Sequence, residues 1–315
     1  MNNEKKFFEQ QPGLPETKIE IFANRHGKKT NIEGLPNEMQ DLTEGAIAEI
    51  ITKANSQKEK DNSEKLQVFA GSERFRAIKT KILLEMPELV EELKPAKSID
   101  EIREVIKKQV NFGTKFYTTD KLDFNDQGPM GEESNAAYKA GEYLQYLINK
   151  SDQRAIDLKD NISSSYTTHA GNIAELVDKY VKVGNNFNRI VAGKNENEKE
   201  EYKKYGNKLE RHFGTHQGPV ECFLAKVLEK ELGEEAKEEF INSYAGSGGF
   251  KELEGIKIDI LNKGAEQKIL IHYRIKEEDR TVEIEPELLQ EIIKEKKLFI
   301  EKINKLKLID KKDKI

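Results

Sequence analysis

The sequence holds one cysteine, Cys222, among 315 residues, so no disulfide can form within the chain. That usage fits a reducing compartment. Apolar runs are short as well. No stretch approaches the ~18 apolar residues that a membrane span needs. The N-terminal residues 1–18 mix charges without the apolar centre of a secretory signal. These absences lead to the expectation of a soluble, cytoplasmic protein with no membrane partner. A surplus of positive charge is missing too: 53 lysines and arginines stand against 58 acidic residues, a net charge of −5. Nucleic-acid binders carry a basic domain or stripe, so no nucleic-acid partner is expected. The five histidines and the single cysteine show no metal-ligand spacing, and no His-Glu-x-x-His helix occurs. Neither a metal nor an organic cofactor is implied, and no feature specifies an oligomeric state.

What is present is charge of both signs, 35% of the chain. Runs such as Lys58-Glu59-Lys60 read as solvated helix faces or loops. Residues 1–17 read as a flexible tail, broken by Pro12, Gly13 and Pro15. Apolar alternation then gives a strand ending near Ala23 and a second over 66–70. Between them, a stripe of Ala46, Ile47, Ile50 and Ile51 predicts a helix over 43–54, followed by a polar loop over 55–65. Phe75, Ile78, Ile82 and Leu83 share one side of the helix after the second strand. Residues 97–207 are more polar and mostly helical, with clear stretches at 99–110, 133–148 and 169–183 and a loop over 112–130. A third core strand covers 209–215. Pro219 then opens a helix, where its missing N–H would be orphaned anyway. Alternating segments at 256–261 and 268–274 pair around Asn262-Lys263-Gly264. A long amphipathic helix over 286–308 closes the chain before a solvated basic end.

Three strand-to-helix junctions each carry candidate ionic residues. Arg25-His26-Gly27 follows the first strand. Ser72 and Arg76 follow the second, and His216 follows the third, after Phe213-Gly214-Thr215. In open α/β sheets, ligands bind outside the carboxyl ends of the strands. Helix N-termini there offer free N–H groups and positive partial charge to an anion. Taken in order, Arg-His-Gly, then Ser-x-x-x-Arg-Ala-x-x-Thr (Ser72, Arg76, Ala77, Thr80), then Thr-His-x-Gly (Thr215, His216, Gly218), the chain resembles the histidine phosphatase superfamily. That group contains the phosphoglycerate mutase-like enzymes and the histidine acid phosphatases. The resemblance spans residues 18–96 and 208–285. It implies an α/β fold with an open, mostly parallel sheet flanked by helices. Residues 18–96 and 208–315 would form the core, and 97–207 a helical insertion capping the active site.

Phosphoryl transfer needs positioning and neutralisation of a dianion. Arg25 and Arg76 each offer a planar fork of donors to phosphate oxygens. His26 can attack only as neutral imidazole, with one ring nitrogen free and the other donating to a fixed acceptor. The resemblance implies that His26 is the nucleophile, that a phosphohistidine forms and is hydrolysed by water, and that His216 donates to the transferring group from opposite. Gln217 and Asn31 complete the phosphate-binding candidates. The leaving alkoxide needs a proton, usually from a carboxylic acid. Many mutase-like members share a Leu-x-Glu segment after the second arginine. The nearest match here is Leu122-Asp123-Phe124, which makes Asp123 the candidate acid, with Asp126 and Glu132 competing. The acid-phosphatase branch places an Asp directly after the second histidine, where this chain has Gln217.

Lys28 and Lys29 read either as surface charges or as a pair at the pocket mouth that favours acidic substrates. His169, His212 and His272 lack such motif frames, and His212 is expected to pack in or beside the third strand. The expected activity is hydrolysis of a soluble phosphorylated metabolite or a phosphoprotein. The alternative, prompted by the imperfect acid segment, is a phosphate-binding or protein-interaction module that keeps the pocket without turnover.

Overall fold

Strand β1 (Thr17–Arg25) places Ile19, Ile21 and Ala23, all fully buried, on one face of a sheet. Glu20, Phe22 and Asn24 fall on the other, because successive strand residues point to opposite sides. The computed structural model describes residues 16–58, 66–109, 115–263 and 266–312. β1 is the fourth strand of a seven-stranded sheet ordered β3-β2-β4-β1-β5-β6-β7. The others are β2 (Leu66–Gly71), β3 (Lys115–Thr118), β4 (Lys208–Thr215), β5 (Gly255–Lys263), β6 (Glu266–Ile275) and β7 (Glu278–Ile284). The sheet is mixed. β3, β2, β4 and β1 run parallel, and β5, β6 and β7 continue from β1 as an antiparallel meander.

Helices cover the parallel half on both faces. Helices α1 (Glu44–Lys58), α2 (Phe75–Glu85) and α3 (Ile99–Gln109) form one layer, in which Ile50, Ile78, Ile82 and Ile102 pack around Phe69. Helix α4 (Gly131–Lys139) follows β3. The second layer is made by α5 (Tyr166–Ala192), α6 (Pro219–Leu232), α7 (Glu234–Ser243) and α8 (Pro286–Lys312). Their Ile173, Val177, Phe223, Phe240 and Leu289 join the apolar faces of β1 and β5–β7. Each fully buried Ile or Phe contributes roughly 1.5–3 kcal/mol relative to exposure. Tertiary packing of this kind supplies most of the stability of such helices. The opposite face of the meander is polar, with Asp259 pairing to Lys257 and His272 at 3.2 Å each.

Several sequence expectations change. Thr17, assigned to the tail, opens β1 and is 2% exposed; residues 1–15 lie outside the described residues. The helix expected over 43–54 continues through polar Asn55, Ser56 and Gln57 to Lys58, and 59–65 lie outside the described residues. The loop expected over 112–130 contains β3, pinned by pairing to β2 and by a 2.8 Å contact between the Tyr117 and Tyr180 hydroxyls. The helix expected over 133–148 breaks near Gly141, whose φ is +73°, and a turn of π-helix follows at Leu147–Ser151. The 169–183 helix begins earlier, at Tyr166, where the Ser165 amide donates to Thr168 Oγ1. β7 was not expected, since only Val282 and Ile284 of its seven residues are buried. The segment 97–207, expected as a cap, also builds the core. It supplies β3 to the sheet and α5 to the packing against β1, β5, α6 and α8. The turn at Gly264 and the end beyond Lys312 lie outside the described residues.

Candidate active site

β1 and β4 are neighbours in parallel register, with Arg25 opposite Thr215. The residues that follow them, His26 and His216, therefore leave the sheet at the same level. The His26 amide donates to the Thr215 carbonyl at 2.9 Å. The two imidazoles meet edge to face with centroids 4.8 Å apart. β2 flanks β4 on the other side, and the Ser72 amide donates to the Gly214 carbonyl at 3.2 Å. α2 begins almost at once and lies directly on β4. Gly214 makes this possible: a Cβ there would stand 2.1 Å from the Ala77 carbonyl oxygen. The close approach drives Arg76, the residue before Ala77, into the site, where it is 1% exposed.

His26 Nδ1 lies 2.5 Å from the Gly27 carbonyl. A carbonyl only accepts, so Nδ1 carries the hydrogen and Nε2 keeps its lone pair. Nε2 accepts from Arg76 Nε at 3.3 Å. Burial, then the Arg76 guanidinium, holds His26 well below the ordinary histidine range. His216 is held down in the same way, by burial first and then by His26 and Arg76. Both rings are therefore neutral at pH 7. His216 Nε2 stands 2.7 Å from Ser72 Oγ and 3.4 Å from Asp123 Oδ1. Thr215 Oγ1 donates to the Leu122 carbonyl at 2.8 Å, which ties the Asp123 loop to the end of β4. Burial pushes the Asp123 carboxyl up, against the pull of Arg74.

The structure thus brings together Arg25, His26, Arg76, His216 and Asp123. Burial brings the Arg76 guanidinium down to about 10, still charged at neutral pH. Its Nη1 donates to the carbonyls of Asn37 and Gln40 at 2.5 and 3.3 Å. Arg25 Nη1 donates to the Phe250 carbonyl at 2.6 Å, and Nη2 reaches Glu252 at 3.5 Å. Lys29 borders the cluster through Asn37 Oδ1, at 2.7 Å. Lys28 is exposed. Gln217 is buried and donates to the Ser247 carbonyl at 3.2 Å. Among the described residues no contact joins Asn31, Gln217, Asp126 or Glu132 to the histidine pair; Asn31 and Glu132 are exposed, and Asp126 meets Gln127 and Asn135.

Three roles escaped the sequence reading. Arg74 pairs with Asp123 at 2.9 Å, Phe124 stacks edge-on against His216 at 5.3 Å, and Glu221 organises the turn behind His216. Glu221 accepts the Gly218 and Phe250 amides at 2.9 and 3.0 Å, and burial pushes its carboxyl up to about 7. The alternating spacing Ser72-x-Arg74-x-Arg76 was the available signal for Arg74. Around two neutral rings the site gathers Arg25, Lys29, Arg74 and Arg76, while Asp123 and Glu252 are their carboxylate partners. That surplus of positive charge suits a bound dianion.

His212 packs within β4 as expected, stacked between Phe22 and Phe69 at 5.2 and 5.1 Å. It forms, with Glu85 and Glu210, a group whose ligand atoms lie within 4.8 Å of one another, a spacing able to hold a metal ion. Lys208 and Gln67 already bond Glu210, and Gln67 also bonds Glu85. His272 meets Thr281 and Asp259.

No protein-family model matches the chain, and no curated protein matches it significantly. Among solved structures, it is similar to the candidate phosphohistidine phosphatase SixA from Agrobacterium tumefaciens, at 10% identity and a TM-score of 0.27 over 80% of this chain and 96% of that one. It is similar to the mycobacterial glucosyl-3-phosphoglycerate phosphatase Rv2419c, at 11% identity and 0.37 over 77% and 89%. A third is the product of open reading frame Rv3214 of Mycobacterium tuberculosis, at 10% and 0.36 over 80% and 95%. Among the described residues no helix is long and apolar enough to cross a membrane.

Proposed function

We propose that the chain is a phosphomonoester hydrolase of the histidine phosphatase kind, acting through a phosphohistidine. The observation that carries this reading is the state of His26. Its Nδ1–H is fixed on the Gly27 carbonyl, its Nε2 lone pair faces Arg76, and its ring is neutral. Binding alone needs no such nucleophile. In the proposed reaction His26 Nε2 attacks phosphorus, while Arg25 and Arg76 turn their forks from loop carbonyls to the phosphoryl oxygens. His216 donates from Nε2, and Asp123 protonates the leaving oxygen. Asn31 and Gln217 are not assigned to phosphate here. Residues 97–207 would set specificity, since they supply Asp123 and Phe124 at the pocket wall. The substrate is a soluble phosphorylated metabolite or a phosphoprotein, met in the cytoplasm.

The second reading is a phosphate-binding or protein-interaction module without turnover. It draws on Arg25, whose Nη1 is occupied by the Phe250 carbonyl at 2.6 Å. Phosphate release from an aryl monoester between pH 5 and 8 separates the two. Aryl leaving groups need little protonation, so the assay tests the His26 pocket itself. Turnover abolished in His26→Ala supports the hydrolase. A folded wild-type chain that releases no phosphate leaves the binding module.

A further inference from the structure

Arg74 stands at the start of α2, two residues before Arg76, with its side chain 11% exposed. Its Nε donates to Asp123 Oδ1 at 2.9 Å and its Nη2 to the Phe124 carbonyl at 3.2 Å. The guanidinium carbon lies 3.9 Å from the Phe124 ring centroid. Its amide donates to Ser72 Oγ, the hydroxyl that touches His216. Among the described residues Nη1 meets no protein acceptor. Asp123 is therefore held by the very cation that borders the phosphate site. An ionised carboxylate is an acceptor only, and Arg74 favours that ionised form, so its hold works against the proton the proposed acid must give.

Resting on the phosphomonoesterase reading, we infer that Arg74 is a positioning residue that times the acid: the arriving phosphoryl dianion takes the guanidinium, and Asp123, so released, carries the proton to the leaving oxygen. A phosphoryl group offers the planar fork two oxygens and a double charge, where Asp123 offers Nε a single oxygen. The groups facing Asp123 are Arg74 and Arg76 from the α2 side, His216 after β4, and the Phe124 amide, which donates to Oδ1 at 2.8 Å. Once Arg74 turns to the phosphate, burial and the nearby dianion both favour the protonated carboxyl, and solvent supplies the proton. His26 Nε2 then bonds phosphorus as the ester P–O bond breaks. The leaving oxygen takes that bond's electron pair and the Asp123 proton. In the second half-reaction the Asp123 carboxylate accepts a proton from the attacking water. The P–N bond breaks, its electron pair returns to Nε2, inorganic phosphate departs, and Arg74 returns to Asp123.

The test compares pH profiles of kcat and kcat/KM for glycerol 3-phosphate and p-nitrophenyl phosphate, on the full chain, with Arg74→Met, Asp123→Asn and His26→Ala. The kcat/KM profile reports the acid of the free enzyme, and kcat that of the bound complex. For the alkyl ester, the wild-type limb marking loss of the acid should lie at higher pH in kcat than in kcat/KM, by about one pH unit or more. Arg74→Met should close most of that gap and raise KM roughly tenfold for both esters. Asp123→Asn should depress alkyl turnover ~10²-fold or more and largely spare the aryl ester. Coincident wild-type limbs, or a gap that Arg74→Met leaves intact, would overturn the coupling; aryl turnover that needs His26 would then still uphold the hydrolase. Aryl turnover that is absent, or that survives His26→Ala, overturns both. Should Arg74→Met fail to fold, the wild-type gap decides, together with a carbon NMR titration of the Asp123 carboxyl. Its midpoint should rise when inorganic phosphate binds, and an unmoved midpoint overturns the proposal.

Discussion

Replacing Gly214 with alanine sets a methyl carbon 2.1 Å from the Ala77 carbonyl oxygen and 2.6 Å from the carbonyl carbon, where ordinary contact begins near 3.4 Å. Both atoms are backbone, so no side chain can swing away. Relief requires α2 to move off β4 by about 1 Å or more, in an interior packed as densely as an organic crystal. Overpacking of this kind typically costs 1–3 kcal/mol, and a backbone clash belongs at the upper end, about 3 kcal/mol. That is a large fraction of a total stability on the order of 5–15 kcal/mol. The same movement carries Arg76, bonded next to Ala77, away from His26 Nε2, now 3.3 Å from Arg76 Nε. A misplacement of about 1 Å can lower turnover ~10²-fold. Urea unfolding followed by circular dichroism reads the first effect and aryl phosphate turnover reads the second. Gly45→Ala is the control, since nothing lies within 4 Å of a Cβ there and alanine is favoured over glycine in a helix by roughly 0.5–1 kcal/mol. A Gly214→Ala protein with the midpoint and turnover of the Gly45→Ala protein would refute the close approach of α2 to β4.

Arg76→Lys should lower aryl turnover ~10²-fold despite keeping the charge, because one ammonium cannot serve His26 and a phosphate as a planar fork does. Hydrogen exchange over residues 37–40, where Arg76 also holds the Asn37 and Gln40 carbonyls, should rise in the same variant; full activity would contradict the assignment. His169 is fully buried, and burial pushes it down to about 3. The unfolded chain takes up that proton near pH 6.5. Stability from the neutral ring is therefore complete above that pH and falls as the pH drops toward 3, by up to ~1.4 kcal/mol per unit. His26 and His216 act with the same sign, so His169→Leu should remove one share of the acid sensitivity. Urea midpoints between pH 7 and 5 check this, and an unchanged slope would count against it.

The sequence reading located the three junctions because each is local: an apolar strand, then a small or ionic residue, then a helix. It matched β1, β2 and β4 to within about two residues, and the boundaries of such elements are the least reliable part of any pattern reading. β3 and β7 were invisible for the opposite reason. Each is an edge strand whose identity comes from its neighbour, and Glu278, Asp279, Arg280 and Thr281 carry no apolar alternation of their own. Asp123 was legible only through its resemblance to a motif, since its place beside His216 depends on the tie between Thr215 and Leu122, 93 positions apart. Adjacency in sequence does not set side-chain direction, as Gln217 and Asn31 illustrate. Gln217 turns to the Ser247 carbonyl, and Asn31 belongs to a loop organised by Gln40.

β1 also constrains how the molecule assembles. Its partners Lys208 on one side and Leu261 on the other, both in register with Lys18, lie about 190 and 240 positions away. β5, β6 and β7 pair with strands next to them in sequence. Contacts distant along the chain form slowly, because loop closure is unfavourable before pairing rewards it. Refolding should therefore raise the meander early and close the β4-β1-β5 seam late. A phosphate-competent pocket would then lag behind the far-ultraviolet signal of the strands. His26 rides on the end of a strand in that late seam, so its reactivity should be a readout of finished assembly.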